Sequence, residues 1–152
     1  MTTPTRESTL ASITQANTER TNLQARLRDA PQTPVTLATL RWIEVASDVD
    51  HHTKRLEKLR ADKSDRTMVN FVGQRLASLR SESTAAAMRL ADIPAKNARD
   101  IYCKLLAATQ TTQNDGSAQN ALFKLTESSR KDLDTFLGYV EARKTKQNRS
   151  AG

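Results

Sequence analysis

The chain has 152 residues, 24 of them basic and 17 acidic, for a formal charge of +7. This length suits one domain with a substantial core and is short for two independent ones. A single cysteine and four dispersed glycines exclude an intrachain disulfide, a cysteine-based zinc site and a glycine-rich phosphate loop.

The apolar share is 37%, but Leu, Ile, Val and Ala recur at helical spacing, which separates a helical bundle from a disordered polar chain. Residues 1–7 are expected to be a flexible start. They lack the apolar core of a secretion signal, and no run of about 18 uncharged apolar residues follows, so a cytoplasmic or nuclear location without membrane insertion is expected. From Ser8 to Arg28, Leu10, Ile13, Ala16, Leu23 and Leu27 mark a weakly amphipathic helix whose stripe is interrupted by Asn17 and Arg20. Pro31 and Pro34 then break the chain.

The strongest pattern follows. Val35, Ala38, Trp42, Val45, Val49, His52, Leu56 and Leu59 alternate steps of three and four, as on the seam of a coiled coil, and predict a helix from about 35 to 62. Lys63 breaks the seam, and Ser64 or Asp65 can cap a new helix, so a tight turn is placed at Lys63–Asp65, with a continuous helix changing phase as the alternative. A third stripe runs through Val69, Val72, Leu76, Leu79, Ser83, Ala86, Leu90 and Ile93 until Pro94. Ala98, Ile101, Leu105 and Ala108 predict a shorter fourth helix with Tyr102 and Leu106 beside its stripe. After a polar, turn-forming run from Thr109 to Ser117, a last helix is expected to Arg143, lined by Leu122, Leu125, Ser129, Leu133, Phe136 and Val140. Residues 144–152 read as a disordered basic tail. The predicted fold is all-α, an elongated bundle of four or five helices over residues 8–143, built on a long antiparallel hairpin of the second and third helices.

His51 and His52 are the only histidines, and Glu44 and Asp48 lie at helical spacings from them. Acid–base or metal chemistry would need them to converge, yet adjacent helical positions point about 100° apart, and no other helix carries a Glu-x-x-His. No cofactor or metal is expected, and the chain is read as non-enzymatic. His52 is better placed at a core edge or protein interface with Trp42 and Val49.

Basic residues carry the clearest functional signal. Between Lys54 and Lys104 twelve bases stand against six acids, an excess of six. Lys54, Arg55, Lys58, Arg60, Lys63 and Arg66 gather near the predicted turn, and Arg143, Lys144 and Lys146 lie near the end of the chain. Such groups can contact phosphates of RNA or DNA, while Asp50 with Lys54, and Lys58 with Asp62, equally suit a solvated helix surface. Near-heptad seams favour a structural, adaptor or assembly protein that binds protein partners, self-association included. Nucleic-acid binding is the alternative.

Overall fold

The computed structural model describes residues 6–111 and 116–150. Residues 1–5, with most of the expected flexible start, and Thr112–Asp115, within the expected turn, lie outside the described residues. Five α-helices and no strand form among them: α1 (Arg6–Arg28), α2 (Pro34–Ala61), α3 (Arg66–Ala91), α4 (Ala98–Gln110) and α5 (Gly116–Ser150). The all-α prediction holds, with five helices. The chain divides into two compact units, Met1–Gln32 with Leu40–Ala86, and Thr33–Thr39 with Ala87–Gly152.

In the first unit, α2 and α3 form the antiparallel hairpin. Leu56, Val72 and Leu76 are buried together, with Val49, Leu59 and Val69 packed against them. Trp42, Val45 and Leu79 are also buried, as their seam positions require. The turn is a Schellman cap: Ser64 N–H donates to the Leu59 carbonyl at 3.0 Å and Lys63 N–H to that of Arg60 at 3.2 Å. Lys63 adopts a φ of 50°, the left-handed conformation that glycine ordinarily supplies there. Asp65 then caps α3, its carboxylate accepting from Thr67 N–H at 3.2 Å.

On α1, Leu23 and Leu27 are buried as expected, but so is Arg20. Its guanidinium donates to the Asp50 carboxylate on α2. The residue read as interrupting the stripe therefore belongs to the packed face, where an opposite charge makes its burial tolerable.

The second unit is organised by buried polar groups. Thr33 caps α2: its hydroxyl oxygen accepts from Thr36 N–H at 3.1 Å, and its own proton goes to Asp100 Oδ1 at 2.7 Å. Pro34 follows as the first helical residue, where a missing N–H costs nothing. Asp100 sits in the first turn of α4, which Asn97 caps by accepting from Asp100 N–H. Asp100 Oδ2 accepts from Lys96 N–H at 2.8 Å. One fully buried carboxylate thus serves the amino-terminal ends of two helices, where the helix dipoles favour negative charge.

α4 buries Asp100, Ile101, Cys103, Lys104, Leu106, Ala107 and Ala108 and leaves Tyr102 and Leu105 exposed. The expected stripe through Ala98 and Leu105 is off in phase, because Lys104, polar by composition, occupies the centre of the buried face. α5 runs to Ser150, seven residues beyond the predicted end at Arg143, so the expected disordered tail is helical as far as it is described. Residues Glu141 to Gln147 are mostly good helix formers, and the Thr145 hydroxyl donates back to the Glu141 carbonyl at 3.0 Å.

Candidate macromolecule-binding surfaces

Lys54, Arg55, Lys58, Arg60, Lys63 and Arg66 are all exposed, but they do not form one patch. At about 100° per residue, Lys54, Arg55 and Lys58 share the side of α2 away from buried Leu56, whereas Arg60 turns roughly 160° away from Lys58. Arg60 is directed instead at Glu57, 3.9 Å away. Lys63 stands in the turn and Arg66 opens α3. Asp50, paired by the sequence with Lys54, makes its ion pair with Arg20. Burial lifts the Asp50 carboxyl above the ordinary carboxylate range, and the nearby Arg20 and Lys54 charges offset this only in part.

The residues assigned to an interface are largely used by the chain itself. Trp42 is 2% exposed, a core residue and no free face. Val49 is half-buried beside the Leu56 cluster. His52 is half-buried, and its Nδ1–H donates to the Asp48 backbone carbonyl at 2.9 Å, not to the carboxylate. His51 and His52 are closer than their helical directions suggest, edge to face with ring centroids 5.5 Å apart. No cluster of three or more His, Cys, Asp or Glu among the described residues is arranged to hold a metal ion.

The sequence reading missed a polar clasp. Lys104 is fully buried, and its Nζ donates to Ser128 Oγ at 2.8 Å and to Asp132 Oδ2 at 2.6 Å. Asp132 Oδ1 accepts from Ala95 N–H at 3.2 Å, while Ser128 donates to the Ala91 carbonyl at 2.6 Å. A serine beside a lysine has the residue types of a nucleophile and its base, but this pair is arranged otherwise. Lys104 Nζ donates to Ser128 and Asp132, and the serine hydroxyl is directed at a backbone carbonyl, so the pair does not have the geometry of a nucleophile and its base. The clasp fixes α4 on α5. Its signal in the sequence is Lys104 standing three after Ile101 and four before Ala108.

The other missed surface lies further along α5. Its buried positions are Ala118, Ala121, Leu125 and Ser129, and Asp132 is held by Ala95 N–H and Lys104. Leu133, Phe136, Leu137 and Tyr139 beyond it are exposed. Arg143, Lys144, Lys146 and Arg149 are exposed on the same helix. No helix among the described residues is long and apolar enough to cross a membrane.

No family model matches the sequence, and neither a curated protein nor a solved structure matches it.

Proposed function

We propose that this chain is a non-catalytic assembly or adaptor protein that binds other proteins through its helical faces. The observation that carries the reading is the uncovered apolar row on α5, on a helix whose first half is buried in the usual way. Apolar side chains at helical spacing along a solvent-facing helix mark an interaction site more often than a surface that stays bare. The partner class is protein, another chain or a second copy. Light scattering across the size-exclusion peak, with absorbance at two wavelengths, tests it. A nucleic-acid-free peak that gains mass with protein concentration, or on addition of a partner, is the supporting result. A peak that remains the 16.9 kDa monomer whatever protein is added opposes it.

A second reading, nucleic-acid binding, draws on the exposed Lys54, Arg55 and Lys58 on one side of α2 and on the cations of α5. Its signature is a peak rich in nucleic acid that collapses to protein mass at high salt. Charge reversal at Lys54, Arg55 and Lys58 would abolish that peak with helicity unchanged.

A further inference from the structure

Past Asp132, α5 continues as a helix whose apolar row is exposed at Leu133, Phe136 and Leu137 and half-buried at Val140. Leu133, Phe136, Leu137 and Val140 stand at i, i+3, i+4 and i+7, the anchor pattern of a helix that docks against a partner. Leu133 is 39% exposed, Phe136 45% and Leu137 54%, with Tyr139 at the edge at 69%. On the same face the row runs into Arg143 and Lys144, while at 100° per residue Lys146 and Arg149 point well away from it, and no acidic residue occurs after Glu141.

Charge argues against a second copy as the occupant. A parallel pair of α5 helices sets Arg143 and Lys144 against themselves. An antiparallel pair centred on the row sets Arg143 against Arg130 at both of its ends. Like charges so juxtaposed oppose association. Shape argues against a flat occupant, whether bilayer or duplex. The covered face of α5, through Leu125, Ser129 and Asp132, lies within about 70° of the row's centre at 100° per residue. α4 is clasped to that face by Lys104, and a packed helix stands about 8–10 Å proud of its neighbour. A plane is thereby held off the start of the row. A rod lying end-on to α4 is not.

We infer that residues 133–144 of α5 are the docking site for an acidic amphipathic helix of another protein, which continues along α5 the cover that α4 begins. Its apolar side rests on Leu133, Phe136, Leu137 and Val140, and its carboxylates meet Arg143 and Lys144. This rests on the protein-binding reading above.

The test uses the full chain and two synthetic helical peptides of about three heptads, with Leu at a and d and either Glu or Lys at e and g. Binding is read by fluorescence anisotropy of the labelled peptide. The Glu peptide binds in the micromolar range and the Lys peptide does not. Binding falls at least about tenfold in the pair Leu133→Ser with Phe136→Ser, in the pair Arg143→Glu with Lys144→Glu, and as salt is raised from ~0.1 M to ~1 M. The substituted side chains are exposed, so ellipticity at 222 nm is unchanged in both variants. No binding of the Glu peptide, equal binding of the Lys peptide, or binding indifferent to both variants overturns the inference. So does sedimentation with phosphatidylserine vesicles, or a shift of duplex RNA, that is lost in the Leu133/Phe136 variant. A homo-oligomer that dissolves in that variant overturns this partner and leaves the protein-binding reading standing. A strict monomer that binds neither peptide and gains no mass from any added protein overturns both.

Discussion

Replacing Lys104 with methionine removes the ammonium while keeping nearly the same volume, so the loss is electrostatic and no large cavity opens. Lys104 is fully buried and Asp132 is 11% exposed, and the carboxylate would keep only the Ala95 N–H as partner. Breaking a buried ion pair from one side costs about 3–5 kcal/mol. The slight exposure of Asp132 lets water take part of the lysine's place, which puts the expected cost near the lower bound, about 3 kcal/mol. With a urea slope near 2 kcal/mol/M, the unfolding midpoint at 222 nm should fall by about 1.5 M. Amide exchange at Ala107 and Leu125, on the two clasped helices, should accelerate along with it. Adding Asp132→Asn removes the stranded charge yet keeps an acceptor for Ala95 N–H, so the double variant should return to within about 1 kcal/mol of the parent. A midpoint shift under about 0.5 M for Lys104→Met, or a double variant no better than the single one, would refute the clasp as an energetic unit.

Lys63→Gly should raise stability by about 0.5–1 kcal/mol, because the left-handed penalty for a side chain outweighs the entropy that glycine adds to the unfolded chain; thermal unfolding that shifts downward would count against it. Gly73→Ala should also stabilise, by up to about 1 kcal/mol, since a Cβ on this α3 residue meets nothing within 4 Å. Asp50 titrates above its unfolded value of 3.8, so its contribution is fully present below that pH and is lost as pH rises through the folded value. The stability of the parent relative to Asp50→Asn should therefore grow as pH is lowered from neutrality, and a difference that shrinks would reverse the sign assigned to burial. Burial pushes the Cys103 thiol up, with the Asp100 charge adding to it and contact with Thr39 opposing it. A disulfide reagent should label Cys103 slowly in the folded protein and at the free-thiol rate in urea, and equal rates would show that the thiol is accessible.

The parts legible in the sequence are those where apolar residues do the packing. The seam from Val35 to Leu59 and the stripe from Val69 to Leu90 follow hydrophobic periodicity, and the turn at Lys63–Asp65 follows from the lost phase plus a capping aspartate. Burial of charge escapes the same reading. Arg20 interrupts the apolar stripe of α1 by composition, and its partner Asp50 lies thirty residues away, where no local rule joins them. Lys104 shifted the predicted stripe of α4 onto Leu105 because periodicity scores a lysine as outward-facing, whereas Asp132 and Ser128 on another helix make the inward position tolerable. The row of α5 is apolar by its spacing, which gives the face but not whether a neighbour covers it. The basic residues were found as a group, yet helix geometry separates Arg60 from Lys54 and Lys58.

The place where the row begins matters to what it can do. Leu133 directly follows Asp132, whose carboxylate is held by Lys104 and by Ala95 N–H, so α5 enters its uncovered stretch already nucleated and in fixed register. Extending a formed helix adds one bond for each residue ordered, without the cost of a first turn. Gly138, with open space around it, is the weak point, costing about 1 kcal/mol relative to alanine in the middle of the row. A partner arriving at Leu133 and Phe136 therefore meets side chains whose backbone is ordered in advance. Preorganised anchors allow a small apolar area to bind usefully, because little of the contact energy is consumed in ordering them.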